Sequence, residues 1–146
     1  SKTALPHLEA SDAAHILTLS PPLNLNPKWA GSFLGYTIAK YGMSLVTLGL
    51  AEELKGRGIA ANSLWPRTTI SPAAVASLLG GEEMVARSRT PEIMADAAHA
   101  VLTRDPRECT GNFFIDDDVL TEEGVTDFSV YGGPLEELEL DIFLDA

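Results

Sequence analysis

Cysteine is nearly absent: Cys109 is the only one in 146 residues. An intrachain disulfide is therefore excluded, and with it the small secreted scaffolds that such bonds hold together. A reduced thiol in a cytoplasmic protein is the expectation. Long apolar runs are absent too. None reaches the ~18–20 residues that span a bilayer, so no membrane partner is expected. The opening "SKTALPHLEASD" has neither the apolar core nor the small-residue cleavage pattern of a signal peptide. Positive charge is missing from one end. Residues 116–146 hold 11 acidic and no basic side chains, whereas residues 1–115 hold 10 of each. The formal net charge of −11 thus arises entirely after residue 115. This balance argues against a nucleic-acid partner, because phosphate binding needs clustered Lys and Arg. The acidic end reads as a solvated stretch, Asp116-Asp117-Asp118 included.

Several motifs are missing as well. His7, His15 and His99 have no metal-ligand spacing, so no metal is expected. No G-x-S-x-G elbow points to a hydrolase. No G-x-G-x-x-G follows a strand: "GLAEELKGRG" (49–58) lies at the wrong end of a helix, and "LGGEE" (79–83) has the wrong spacing. The sequence therefore offers no glycine-rich turn for a dinucleotide pyrophosphate.

What is present reads as a globular chain, 45% hydrophobic and 21% charged, sized for one domain or for a piece of a larger one. "HILTLS" (15–20) is a short apolar run stopped by Pro21-Pro22, and it predicts a buried strand. "PPLNLNPKWAGS" (21–32) predicts a loop. From about Ser32 to Lys55 apolar residues recur at helical spacing, with Gly56 and Gly58 as the stop. "IAANSLWP" (59–66) predicts a second strand. "SPAAVASLLGG" (71–81) predicts a short helix capped by Ser71. "TPEIMADAAHAVLTRDP" (90–106) predicts another, capped by Thr90. "GNFFIDDDVL" (111–120) predicts a third strand running into acids. Strand, helix, strand, helices, strand is the order of parallel βαβ units with helices on both faces of the sheet.

Within the long helix, "GYTIAKYGMS" (35–44) places Tyr36 and Lys40 at i and i+4 on one face. Two readings are open from spacing alone. The pair is either an aromatic and a cation sharing a helix surface, or a proton-transfer pair. A phenol with pKa near 10 is a poor base at pH 7, and a neighbouring ammonium favours the phenolate. The stripe Met43, Leu45, Leu48 and Leu50 also has two readings, burial on the sheet or contact with a second subunit.

The strand ending in Ser20, "YTIAK" opening a long helix, "NSLWPRT" closing the next strand and "GNFFIDDDVL" occur in an order that resembles the second half of a short-chain dehydrogenase/reductase. The wording of these motifs is similar to the hydroxysteroid-dehydrogenase-like branch. The resemblance covers nearly the whole chain. It implies an α/β fold with a Rossmann-like doubly wound parallel sheet, of which the last three strands are expected here. Residues 1–120 would be the C-terminal part of the dehydrogenase domain, and 121–146 an acidic extension of it. The implied cofactor is NAD or NADP, and the implied substrate a small carbonyl or alcohol. Tyr36 would be the general acid/base. Lys40 would tune it and bind the nicotinamide ribose, and Ser20 would orient the substrate oxygen. Ser20 lies 16 residues before Tyr36 instead of the usual 13, which a longer loop absorbs. Pro66 matches the proline near the nicotinamide, followed here by Arg67 where glycine is usual. Arg67 would meet a cofactor phosphate or a protein carboxylate, and Thr68 and Thr69 are available to the carboxamide or phosphates. Asn62 reads as structural. The family also implies a homo-oligomer, a dimer or tetramer. Without the pyrophosphate half, this chain alone is expected to be inactive. The alternative is a non-catalytic remnant that serves as an interaction or assembly module.

Overall fold

Alternation along a buried parallel strand sends successive side chains to opposite faces, and this decides which helix covers which side of the sheet. A computed structural model describes residues 2–71 and 85–145. Three parallel strands, β1 (His15–Leu19), β2 (Ala60–Trp65) and β3 (Phe113–Ile115), lie side by side in that order. Ile16 pairs with Ala61 and Leu19 with Leu64; Ser63 pairs with Phe113 and Trp65 with Ile115. All six residues of β2, the central strand, are buried.

The described helices are α1 (Leu5–Glu9), α2 (Pro27–Leu54), α3 (Glu92–Leu102) and α4 (Asp116–Glu122). Leu64 packs with Ile93, Ala97 and Val101 of α3 and Val119 and Leu120 of α4, against which Leu17 and Phe114 also press. On the other side Leu54 of α2 joins Ala14 and Ile59, flanked by Leu5, Leu8, Ile16 and Leu50. Each fully buried Leu, Ile or Val removes enough apolar surface to contribute ~1.5–3 kcal/mol. The doubly covered parallel sheet expected from the sequence is the one observed.

Three local expectations need correction. Helix α2 begins at Pro27, not near Ser32. Asn26 caps it by accepting a hydrogen bond from the Lys28 N–H, and Pro27 occupies the first turn, where its missing N–H costs nothing. The apolar spacing hid this start because Phe33 leaves helical geometry (φ −142°, ψ 48°) and kinks the helix. Thr90 does not cap α3 through its side chain; its carbonyl accepts from Ile93 N–H instead. Strand β3 is only three residues long, and the acids after it open α4. Of the two readings open for the α2 stripe, Met43, Leu45 and Leu48 follow the outward one, being exposed, while Leu50 packs against the Leu54 cluster. Thr37, Ser44, Thr47, Ala51 and Leu54 are buried instead. Small side chains let α2 lie close, and their hydroxyls are satisfied by carbonyls: Ser44 donates to Pro21 O at 2.6 Å and Thr47 to Met43 O at 3.0 Å.

The end of α2 matches its glycines. Lys55–Arg57 tighten into a 3-10 turn, and Gly58 follows in the left-handed region (φ 68°). Asn62 is structural: its Nδ2 donates to Cys109 O and its Oδ1 accepts from Asn112 N–H, tying β2 to the loop before β3. The short helix expected over 71–81 lies largely outside the described residues.

Candidate active site

Pro21 and Pro22 end β1 because proline cannot continue the ladder. The ladder therefore stops at Leu19, whose carbonyl accepts a hydrogen bond from Lys40 Nζ at 3.0 Å. The next residue, Ser20, is fully buried, and its Oγ has no hydrogen-bond partner. Tyr36 sits one turn before Lys40 on α2, just past the Phe33 kink, so it belongs to the first turn of the straight segment. Lys40 Nζ lies 5.9 Å from the Tyr36 ring centroid and 5.1 Å from that of Trp65. Ser20, Tyr36 and Lys40 are thus gathered at the carboxyl ends of β1 and β2, where open α/β sheets hold their ligands.

The loop between β1 and α2 is fixed by its own polar groups. Asn24 Oδ1 accepts from Asn26 N–H, and the Tyr41 hydroxyl donates to Asn24 O. The C-terminal segment crosses the same region. Trp65 Nε1 donates to Ile142 O at 3.1 Å, and Asp141 N–H donates to Arg67 O at 2.9 Å. Phe143 is 1% exposed and stacks on Tyr36 with ring centroids 6.1 Å apart and planes within 6°. The last residues of the acidic end are therefore folded onto the site, although most of its acids, Glu122, Glu123, Asp127, Glu136 and Glu137 among them, are exposed as expected.

The electrostatics differ from the pairing expected of neighbours on a helix. The Tyr36 phenol is held above its ordinary pKa, first by burial and then by the Asp141 carboxylate. With its ammonium on the Leu19 carbonyl, Lys40 does not bring the phenol down in this arrangement. Burial also pushes the Asp141 carboxyl up to about 6.

Pro66 follows β2 at the same end. Arg67 meets protein carboxylates: its Nε donates to Asp117 Oδ1 at 2.7 Å and its Nη2 to Asp118 Oδ1 at 2.6 Å, while its N–H donates to Asp116 Oδ1. Thr68 is fully buried, its Oγ1 without a partner, and it bridges to Leu140 in antiparallel fashion. The Thr69 hydroxyl is bonded to Ser88 Oγ at 2.8 Å. The aspartate triplet departs most from expectation. Asp116 and Asp117 are 0% and 8% exposed, and Asp117 also accepts from Arg89 Nη1 at 3.1 Å. Three acids in a helix's first turn are favoured by its dipole. That was the signal available in "DDDVLTE". Nothing local foretold Arg89, Asp141 or Phe143. Among the described residues no group of three or more His, Cys, Asp or Glu is arranged to hold a metal ion, and no helix is long and apolar enough to cross a membrane.

Asp116 carries a testable pH dependence. Its Oδ1 accepts from two backbone N–H groups, but Oδ2 is buried without a partner, and burial lifts the carboxyl from 3.8 to about 6. Between those values the folded chain holds a proton that the unfolded chain releases. Its contribution is therefore complete below pH 3.8 and is lost as pH rises through about 6. Asp116→Asn should match the parent near pH 4 and gain roughly 2 kcal/mol over it at pH 8. Paired thermal unfolding across that range checks this; a constant difference at every pH contradicts it.

No family model matches the chain. Over 146 residues it is 53% identical to hydroxysteroid dehydrogenase-like protein 2 of Xenopus tropicalis and 50% identical to the Homo sapiens protein of that name. Each match covers 99% of this chain and 34% of the relative. Among solved structures, a short chain dehydrogenase of Mycobacterium thermoresistibile superposes with a TM-score of 0.91 at 53% identity, covering 99% of this chain and 51% of that one. The chain thus spans about a third of the length of these curated relatives and about half of the solved one.

Proposed function

The chain belongs to the short-chain dehydrogenase/reductase family, and from that premise we propose that it carries the catalytic side of an NAD(P)-dependent oxidoreductase interconverting a carbonyl and an alcohol. One observation carries the reading. A serine hydroxyl is buried without a partner at the end of β1, next to the carbonyl that holds Lys40, with Tyr36 one helical turn away. An unsatisfied buried hydroxyl costs ~1–3 kcal/mol, and such a cost persists where a ligand is meant to complete the set. A substrate oxygen supplies the missing partner. Ser20 donates to it, and the Tyr36 hydroxyl gives it a proton, or takes one in the reverse direction.

One residue present fits a nicotinamide nucleotide on the ribose side: Lys40 has further donors beyond the one on Leu19 O. Pro66 follows β2 at the same end, whereas Thr68 is fully buried and the Thr69 hydroxyl is held by Ser88, so neither side chain faces a cofactor in this arrangement. The bound nicotinamide would supply or accept the hydride. Arg67 contributes through its backbone, since its guanidinium is engaged by Asp117 and Asp118. The pyrophosphate needs a glycine-rich turn that this sequence does not contain, so the 146 residues by themselves are expected to lack turnover. The exposed apolar residues of α2, Leu34, Ile38 and Leu45, favour a homo-oligomer, a dimer or tetramer. The buried reduced thiol of Cys109 fits a cytoplasmic setting. A purely non-catalytic assembly module would leave the orphaned Ser20 hydroxyl without a reason.

Ser20→Ala separates the two roles of that hydroxyl. In a full-length enzyme carrying this sequence it should lower kcat by about 100-fold while raising folding stability by about 1 kcal/mol. Steady-state kinetics beside thermal unfolding reads both. Unchanged kcat removes Ser20 from the site, and a loss of stability removes the argument from its missing partner.

A further inference from the structure

We propose that Phe143 is a positioning residue for Tyr36, and that the segment from Leu138 to Asp145 is therefore a built part of the active site. This rests on the reading of Tyr36 as the proton-transfer group. The sequence places these residues more than 100 positions apart and gives no motif that joins them.

The Phe143 ring is enclosed by four aromatic groups, three from α2 and one from β2. Trp29 and Tyr41 of α2 lie at centroid distances of 5.9 and 5.0 Å, and Trp65 of β2 at 6.0 Å, all inclined to it; Tyr36 alone is parallel. Inclined neighbours present ring edges or tilted faces and lock the central ring against rotation. The parallel neighbour receives a flat face. Tyr36 itself is 46% exposed, so much of its surface is open and its plane needs a fixed support. Phe143 supplies one.

The support is held in place. Phe143 has φ 74°, the only described non-glycine residue with positive φ. A bulky side chain adopts that conformation only when its surroundings over-determine it. The surroundings do so here. The Phe143 carbonyl accepts from Asn24 Nδ2 at 3.1 Å, and Ile142 O accepts from Trp65 Nε1. Asp145 bonds Asn24 Nδ2 at 2.6 Å and pairs with Lys28 Nζ at 2.5 Å. Upstream, Thr69 N–H donates to Glu139 O at 2.8 Å, and Leu140 bridges to Thr68. These ties run to the loop after β1, the start of α2, and the end of β2 with the residues after it, which are the elements that build the site; Glu139 N–H also bonds Arg87 O, before α3. A lid that opens in each cycle would have to break all of them; a fixed wall breaks none.

The stack sets where the Tyr36 hydroxyl points relative to Ser20 and Lys40, without touching substrate. A leucine at 143 would fill most of the volume but offer no flat face. In a full-length enzyme carrying this sequence, Phe143→Leu should lower kcat at least 10-fold while the dinucleotide KM changes less than 2-fold. A fold defect alone would move both or reduce the folded fraction. Asn24→Ala, which loosens the Phe143 and Asp145 ties and leaves the rings in place, should give a smaller loss of kcat with the same split. An unchanged kcat in folded Phe143→Leu overturns the proposal. So does a raised kcat, which would make the segment a plug. Should Phe143→Leu fail to fold, the unsubstituted chain still decides. With ring-labelled tyrosine, the Tyr36 signals, assigned by their loss in Tyr36→Phe, should be shifted upfield by the Phe143 ring current; random-coil positions would refute the stack. Full activity in Tyr36→Phe would remove the acid/base reading while leaving the stack measurable, so the two failures are distinguishable.

Discussion

Tyr36→Phe should abolish measurable turnover in a full-length enzyme carrying this sequence, with kcat falling by about 1,000-fold and the fold intact. General acid–base catalysis contributes ~10²–10⁴ in rate, and on the proposed reading the Tyr36 phenol is the proton-transfer group. The substitution removes one oxygen and keeps the ring, so the stack on Phe143 at 6.1 Å survives. The Lys40 bond to Leu19 O survives too, because it does not involve Tyr36. Cofactor affinity should therefore stay within about 2-fold, a change of ~0.4 kcal/mol, and Tm should barely move. Carbonyl reduction assayed with a panel of simple ketones, beside dinucleotide titration and thermal unfolding, covers all three readings. Undiminished reduction would end the assignment of Tyr36. The direction of its pKa adds a consequence. Burial and Asp141 hold the phenol protonated, which favours proton donation to a carbonyl over proton removal from an alcohol at neutral pH.

Asp117→Ala should cost roughly 3–5 kcal/mol of stability, the largest structural effect expected from a single polar group here. Asp117 accepts from Arg67 Nε and from Arg89 Nη1. Arg89 is 3% exposed, its Nε already lacks a partner, and its guanidinium otherwise rests 5.1 Å from the Phe128 ring centroid. Truncating Asp117 leaves that buried charge without its ion pair, with the Phe128 ring face and the partly protonated Asp116 carboxyl beside it. Arg67 is less affected, because Asp118 remains. Asp118→Ala is the control: its side chain is 63% exposed, and an exposed pair contributes less than about 1 kcal/mol. For a chain of this size the Asp117 variant should lose more than about 10 °C in Tm, and the Asp118 variant only a few degrees. Equal effects at the two positions would show that burial of the cluster does not set its worth.

That cluster matters to the site because it fixes the backbone after β2. Arg67 N–H is bonded to Asp116, its guanidinium to Asp117 and Asp118, and its carbonyl to Asp141 N–H. Of the two partners open to Arg67 from the sequence, a cofactor phosphate or a protein carboxylate, the structure shows the carboxylates, on α4.

The sequence by itself determined the pieces whose causes are local. Apolar runs bounded by prolines made "HILTL" and "AANSLW" strands, the second fully buried as expected and the first only half-buried, with Leu19 exposed. Spacing of four residues put Tyr36 and Lys40 on one face, and Gly58 stopped the helix. These features depend on side-chain period and backbone freedom, which a few neighbouring residues settle. Only the tertiary structure decided the partners. The start of α2 at Pro27 was hidden by a kink at Phe33 that breaks the period. The carboxylates that receive Arg67 are about 50 residues away, and the ring that supports Tyr36 is 107 positions on. Such pairings follow from close packing of segments that local pattern cannot order. They also depart from composition at two positions: most of the 11 acids are exposed as expected, yet Asp116 and Asp117 are buried where backbone N–H groups and two arginines meet them.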